Sequence, residues 1–135
     1  SYLPVDDPKS FDEAMHILLC GTGVGFSVEA KYIGSLPEVP EKLFESEHTI
    51  SVHDSKEGWA KSLRLLLANL WAGEVPKWDV SNVRPAGARL KTFGGRASGP
   101  EPLVDLFNFT VAMFKHAKGR RLNSLECHDL MCKIG

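Results

Sequence analysis

The sequence predicts an α/β fold, and three observations carry that prediction. Apolar residues recur at helical spacing in four separate stretches. Short extended segments with alternating apolar residues stand beside the first two of them. Glycines and prolines punctuate the joins. A chain of 135 residues has room for one domain or a piece of one.

The elements follow in chain order. Residues 1–9 (SYLPVDDPK) read as a short strand that breaks at Pro8. Ser10 with Glu13 three residues on has the pattern of a capping box, and Phe11, Ala14, Met15, Leu18 and Leu19 give a helix around 10–20. Phe26 and Val28 suggest a strand. Residues 34–47 hold Pro37 and Pro40 and read as a surface connection. His48 to Val52 alternates as a strand does. Asp54 or Ser55 then caps a helix around 55–72, striped by Trp59, Leu63, Leu66, Leu67 and Leu70 and stopped at Gly73. Residues 73–102 read as loop. Further helices are expected around 101–118, ending before Gly119, and around 124–133, opening at Ser124.

Residues 6–19 can be laid on 54–67 without gaps, so that Asp6 meets Asp54, Phe11 meets Trp59 and Leu18 meets Leu66. Propensity and capping alone produce such similarity between amphipathic helices. The sharper reading is two related helices packed side by side.

Composition narrows the function classes. With 43% hydrophobic residues and a net charge of −1, the chain is neither a disordered tail nor a general nucleic-acid binder. No apolar run approaches the roughly 18 residues of a membrane span, and no signal segment opens the chain. Cys20, Cys127 and Cys132 are too few for a disulfide framework, so a reducing, cytoplasmic setting is the default expectation.

Four constellations could carry chemistry. Gly21, Gly23 and Gly25 in CGTGVGF would let a ligand approach the backbone, although a tight helix-to-strand turn needs the same glycines. They do not match the dinucleotide fingerprint, in which the helix follows the glycines. Between Val80 and Pro100 stand Arg84, Arg89, Lys91 and Arg96 with no acid and with glycines interleaved. Guanidinium forks beside exposed N–H groups are what polyphosphate binding requires. Cys127, His128 and Cys132 share a helix but lack a fourth metal ligand nearby, so no metal site is assigned and a buried thiol with a core or capping histidine is expected. Asp6, Asp7 and Asp54 stand at helix starts, where they either cap or accept from a ligand hydroxyl.

The runs CGTGVGFSVE (20–29), HDSKEGWAKSL (53–63), PKWDVSNVRPAGARLKTFGGRASGPEPL (76–103) and CHDLMCKIG (127–135) together closely resemble the adenosylcobalamin-dependent, class II ribonucleotide reductases, and among them the monomeric ribonucleoside-triphosphate reductase branch. The resemblance covers essentially the whole chain. It implies a ten-stranded α/β barrel in which cobalamin homolysis forms a thiyl radical that removes the 3′ hydrogen of a ribonucleotide, a cysteine pair supplies the electrons, and a thioredoxin-type reductant restores them. Residues 1–135 then read as an internal section from the N-terminal half of that barrel. On the same resemblance the section starts one residue past a redox cysteine, as an intein junction or a truncated gene would leave it, and the radical cysteine and specificity loop lie outside it. No catalytic residue is therefore expected here, the isolated chain is expected to be inactive, and adenosylcobalamin is expected to be held by the parent enzyme.

In the family an aspartate at a helix start holds the ribose of a deoxynucleoside triphosphate effector, and an arginine in the segment matching VRPAG holds its phosphates. The resemblance thus implies an effector site at Asp54, Ser55 and Arg84 with Lys91 and Arg96 as phosphate contacts, and Asp7 as the rival ribose partner. The alternative is a small nucleotide-binding or interaction module acting alone, without catalysis.

Overall fold

A computed structural model describes residues 2–19, 25–85 and 99–134. In chain order these form β1 (Tyr2–Pro4), α1 (Lys9–Leu19), β2 (Gly25–Ser27), α2 (Ala30–Ile33), β3 (Phe44–Ser51), α3 (Lys56–Trp71), β4 (Glu74–Asp79), α4 (Glu101–His116) and α5 (Ser124–Ile134). The mixed α/β expectation holds, and the four long helices fall within two residues of their expected bounds.

The strands form two separate parallel pairs. β1 runs beside β2 with Leu3 opposite Phe26. β3 runs beside β4 from Phe44 opposite Glu74 to Ser51 opposite Asp79, with an irregularity between Glu45 and Thr49. Parallel partners need a crossover, and in each pair a helix supplies it. The chain therefore contains two strand–helix–strand units, β1-α1-β2 and β3-α3-β4. The helices of the two units pack against each other. Phe11 near the start of α1 stacks on Trp71 at the end of α3, Asp12 meets Arg64, and His16 lies 3.9 Å from Glu57 at the start of α3. Since partners descend along α3 as they ascend along α1, the pair is antiparallel. The two helices of the internal repeat thus pack side by side.

One core joins both units to α4 and α5, with Phe11, Leu63, Leu66, Phe107, Phe114 and Leu130 fully buried. Trp71 packs against this core from a partly buried position, edge-on to Phe114 at 4.8 Å, with its indole N–H donating to the Pro37 carbonyl at 3.0 Å. Gly73, at φ 91°, turns the chain from α3 into β4, a conformation glycine adopts without a Cβ penalty.

Several expectations are corrected. Ser10 does not cap α1. It lies within that helix, buried, and its hydroxyl donates to the Pro4 carbonyl. Asp7 takes the cap, its Oδ1 accepting from the Lys9 N–H at 2.9 Å, with Pro8 placed where no helical N–H is required. The connection at 34–47 is not all surface: Leu36 and Val39 are buried, and β3 already begins at Phe44. Residues 73–102, read as loop, contain β4, whose Pro76 and single alternation hid a strand buried on one side by α3. The expected opening of α5 at Ser124 holds, and the Ser124 hydroxyl donates to the Val28 carbonyl at 2.8 Å.

Asn123 and Glu126 cap α5 reciprocally. Asn123 Oδ1 accepts from the Glu126 N–H at 2.8 Å, and Glu126 Oε1 accepts from the Asn123 N–H at 3.0 Å. Arg120 closes the box through a two-pronged bond to both Glu126 oxygens, at 2.6 and 2.9 Å. That bond, first among the causes, holds the Glu126 carboxyl below the ordinary carboxylate range. A depressed carboxyl contributes stability above its unfolded pKa and loses it as the pH falls through its folded pKa. Glu126→Gln is expected to cost about 1 kcal/mol at neutral pH and to shrink toward no effect in acid. Urea midpoints at pH 7 and pH 3 check this, and an equal cost at both would refute it.

Candidate functional site

The β3-α3-β4 unit brings two of the expected site residues together across 30 positions of sequence. Arg84 Nε donates to Asp54 Oδ2 at 2.5 Å, and the Arg84 backbone N–H reaches the same oxygen at 3.3 Å. Both side chains are about one quarter exposed, so the pair is partly withdrawn from water yet open to a ligand.

The position of each member follows from local structure. β3 leads straight into the 53–55 link, where the Ser55 N–H donates back to the His53 carbonyl at 2.9 Å. Ser55 then caps α3, its hydroxyl oxygen accepting from the Gly58 N–H at 2.9 Å. The Val52 N–H bonds to the Asp79 carbonyl, so the ladder runs on to the end of β4. Asp79 makes the next turn by accepting from the Ser81 N–H at 2.9 Å. Hydrogen bonds from Ser81 hold its carboxyl below the ordinary range. The Val83 N–H donates to the Val80 carbonyl, buried Val83 anchors the turn, and Arg84 arrives at Asp54. Asp54 thus lies beyond the carboxyl end of β3 and Arg84 beyond that of β4. In parallel sheets this edge is where ligands bind. The start of a 16-residue helix there favours anions.

Gly58 is a site determinant that the sequence reading did not single out. A Cβ at this position would stand 2.4 Å from the His53 carbonyl oxygen and 2.7 Å from the His53 Cβ. The first turn of α3 can therefore press against the link that carries Asp54 only because residue 58 has no side chain. The signal was present as a glycine at the third position of a capped helix, where propensity alone disfavours it.

Asp7 does not join this site. Because α1 and α3 are antiparallel, the start of α1 lies beside the end of α3, and Asp7 lines a groove there with Trp71. The two rival aspartates stand at opposite ends of the helix pair. Gly25 opens β2 and is exposed. Gly21, Gly23, Lys91 and Arg96, with Cys20 and Arg89, lie outside the described residues.

A second charged pair crosses the helix interface. Arg64 donates from Nε to Asp12 Oδ2 at 3.0 Å, and its terminal nitrogen lies 3.0 Å from the same oxygen. Asp12 is only 2% exposed. Burial raises its carboxyl above the ordinary range, against the lowering effect of Arg64.

The cysteine set shows no cooperation. Cys127 is a buried free thiol whose pKa burial pushes up to about 12, which suits core packing and not nucleophilic work. His128 is neither a core nor a capping group, as had been expected. It is half exposed on α5, tilted against the Phe26 ring and 3.7 Å from Cys132 Sγ. Among the described residues no three His, Cys, Asp or Glu side chains gather as a metal site would require, and no helix is long and apolar enough to cross a membrane.

Comparison with known proteins is consistent with this geometry. The family model of the B12-dependent ribonucleotide reductase insertion domain matches residues 41–113, which hold the whole β3-α3-β4 unit and Arg84. An adenosylcobalamin-dependent ribonucleoside-triphosphate reductase of Euglena gracilis is 32% identical over 122 residues, covering 90% of this chain and 16% of the relative. The enzyme of that name from Lactobacillus leichmannii is 28% identical over 160 residues, covering 93% of this chain and 21% of the relative. The chain thus spans about a fifth of the length of the curated relatives it matches. A crystal structure of a B12-dependent, class II ribonucleotide reductase superposes on 98% of this chain and 26% of its own, with a TM-score of 0.85 at 22% identity, a likeness of fold.

Proposed function

The chain belongs to the family of B12-dependent, class II ribonucleotide reductases, whose insertion domain it carries over residues 41–113, and on that premise we propose that it supplies the allosteric deoxynucleoside triphosphate site of a ribonucleoside-triphosphate reductase together with part of its α/β barrel wall. The observation that carries this reading is the Asp54–Arg84 pair at the carboxyl edge of β3 and β4.

One carboxylate can serve two purposes there. Asp54 Oδ2 orients the Arg84 fork, and its second oxygen accepts from a ribose hydroxyl. The guanidinium binds phosphate oxygens in charge-assisted bonds. The start of α3 adds its dipole, and Lys91 and Arg96 add charge from the segment that follows Arg84 in sequence. These cations would neutralise the triphosphate, and the identity of the base would pass to the neighbouring substrate pocket. Such coupling is typically worth about 1–3 kcal/mol. Asp54 is favoured over Asp7 as the ribose partner because the only arginine of the VRPAG segment stands beside Asp54.

The parent enzyme would reduce ribonucleotides to 2′-deoxyribonucleotides using adenosylcobalamin, which supplies the initiating radical when bound. The groove between α1 and α3 does not fit that cofactor. It has a volume of about 350 Å³, too little for a corrin ring, and its lining of Asp7, Lys9, Asp12, Arg64, Leu67 and Trp71 offers no histidine or thiol to ligate cobalt. No residue of this chain is assigned to holding cobalamin, the ribonucleotide substrate or the thioredoxin-type reductant, and no catalytic step is assigned to it.

The test is calorimetric titration of the 135-residue chain and of the full-length enzyme with dATP and dGTP. Arg84→Ala is expected to weaken effector binding about 10–100-fold, since charge-assisted bonds of this kind contribute about 1.5–3 kcal/mol. Unchanged affinity would remove Arg84 from the site.

A further inference from the structure

The groove at the other end of the α1–α3 pair has no part in the effector reading. It is lined by Asp7, Lys9, Asp12, Arg64, Leu67 and Trp71, among others, and has a volume of about 350 Å³, within the range of small-molecule sites. Three of its features point to one class of ligand.

The first is an acceptor without a donor. Asp12 is nearly fully buried, Arg64 holds its Oδ2, and its Oδ1 has no hydrogen-bond partner among the described residues. Buried polar atoms are paired in the great majority of cases, so an orphaned carboxylate oxygen beside a groove calls for a donor. The second is charge. Arg64 already balances the Asp12 carboxylate, so the missing donor needs no positive charge of its own, and a cation would meet Arg64 as a like charge. The third is a rigid flat wall. Trp71 is held by the Pro37 carbonyl, by the edge of Phe114 and by the Phe11 ring, which leaves its indole a fixed platform for a planar ring.

The internal repeat adds an independent reason. Asp7 is laid on Ser55 by the alignment of 6–19 with 54–67, and each caps its own helix. The groove therefore occupies, in the first unit, the place that the effector site occupies in the second.

We infer that the α1–α3 groove is a second ligand site that takes the neutral base of a purine nucleoside, with a guanine-type N–H edge donating to Asp12 Oδ1 and the ring lying on Trp71. Guanine presents two adjacent N–H donors on one edge, and the two lone pairs of Asp12 Oδ1 can accept from both while Oδ2 stays with Arg64. The cations lining this groove are Lys9 and Arg64, and Arg64 is engaged by Asp12, so recognition rests chiefly on the base.

The probe is guanosine, titrated calorimetrically into the 135-residue chain. Guanosine has no phosphate and so gains nothing from Arg84. Saturable one-to-one binding is expected, weakened at least ten-fold by Asp12→Asn and at least ten-fold by Ala68→Phe, which fills the groove from an exposed position without touching the Asp12–Arg64 pair. Arg84→Ala should leave guanosine binding unchanged while weakening dGTP, and Ala68→Phe should leave the Arg84-dependent dGTP binding unchanged. These two arms separate failure of this site from failure of the effector site. Should Asp12→Asn not fold, Ala68→Phe decides alone. Absence of saturable guanosine binding, or binding that Ala68→Phe does not alter, overturns the inference.

Discussion

Phe114→Ala is expected to cost about 3–5 kcal/mol, the usual range for removing a fully buried aromatic ring. Phe114 has no exposed surface and meets Trp71 edge-on at 4.8 Å. Trp71 in turn stacks on Phe11 of α1 and donates to Pro37. Phe114 thus packs α4 against Trp71 of α3, and Trp71 in turn links α3 to α1 and to the 34–43 connection. Truncation leaves a cavity at this junction. Against a total of about 5–15 kcal/mol for a typical domain, such a loss brings the chain close to its unfolding threshold. Urea denaturation with an unchanged m-value is the measurement. Phe114→Leu should cost well under half as much. A loss below about 1 kcal/mol for the alanine variant would mean that the three elements do not share one core.

Gly58→Ala is expected to destabilise the chain by about 1–3 kcal/mol, the range for overpacking, and to weaken effector binding at the same time. The sign makes this informative. In an exposed helix the substitution would stabilise by about 1 kcal/mol, because alanine has the higher propensity. Here the new Cβ would meet the His53 carbonyl oxygen at 2.4 Å, and this is backbone that cannot rotate away. Either α3 or the 53–55 link must move, and the link carries Asp54 and the Ser55 cap. A variant that is more stable than the parent, or one that is less stable but binds dGTP unchanged, would show that the link and the site are not coupled through this contact.

Much of the architecture was legible along the chain because it depends on local periodicity. The stripe of Leu63, Leu66, Leu67 and Leu70 defined α3, and the same reasoning defined α1, α4 and α5 within two residues. β4 was missed because Pro76 and a glycine-rich continuation look like loop when strand pairing is unseen. The cap of α1 was misplaced for a related reason. Ser10 and Glu13 have the right spacing, but the Pro4 carbonyl claims the serine hydroxyl once β1 folds back over the helix. Of the candidate site, Asp54, Ser55 and Arg84 were identified on resemblance, and Lys91 and Arg96 lie in the segment beyond the described residues. Gly58 stayed unnoticed because its significance is an approach distance, which no spacing rule encodes.

By itself the sequence determined the class of fold, the order and extent of the helices, the cationic segment after β4 and the family. All of these rest on residue type and short-range spacing. Tertiary structure alone decided which groups meet. Antiparallel packing of α1 on α3 sent Asp7 and Asp54 to opposite ends, joined Asp12 to Arg64 across 52 residues, and brought Arg84 back to Asp54 across 30. Helical periodicity says which face of each helix is buried but is silent on which end of one helix lies beside which end of the other. That choice is made when the two faces are buried together in a single core, and it is what separates one candidate ligand site from the other.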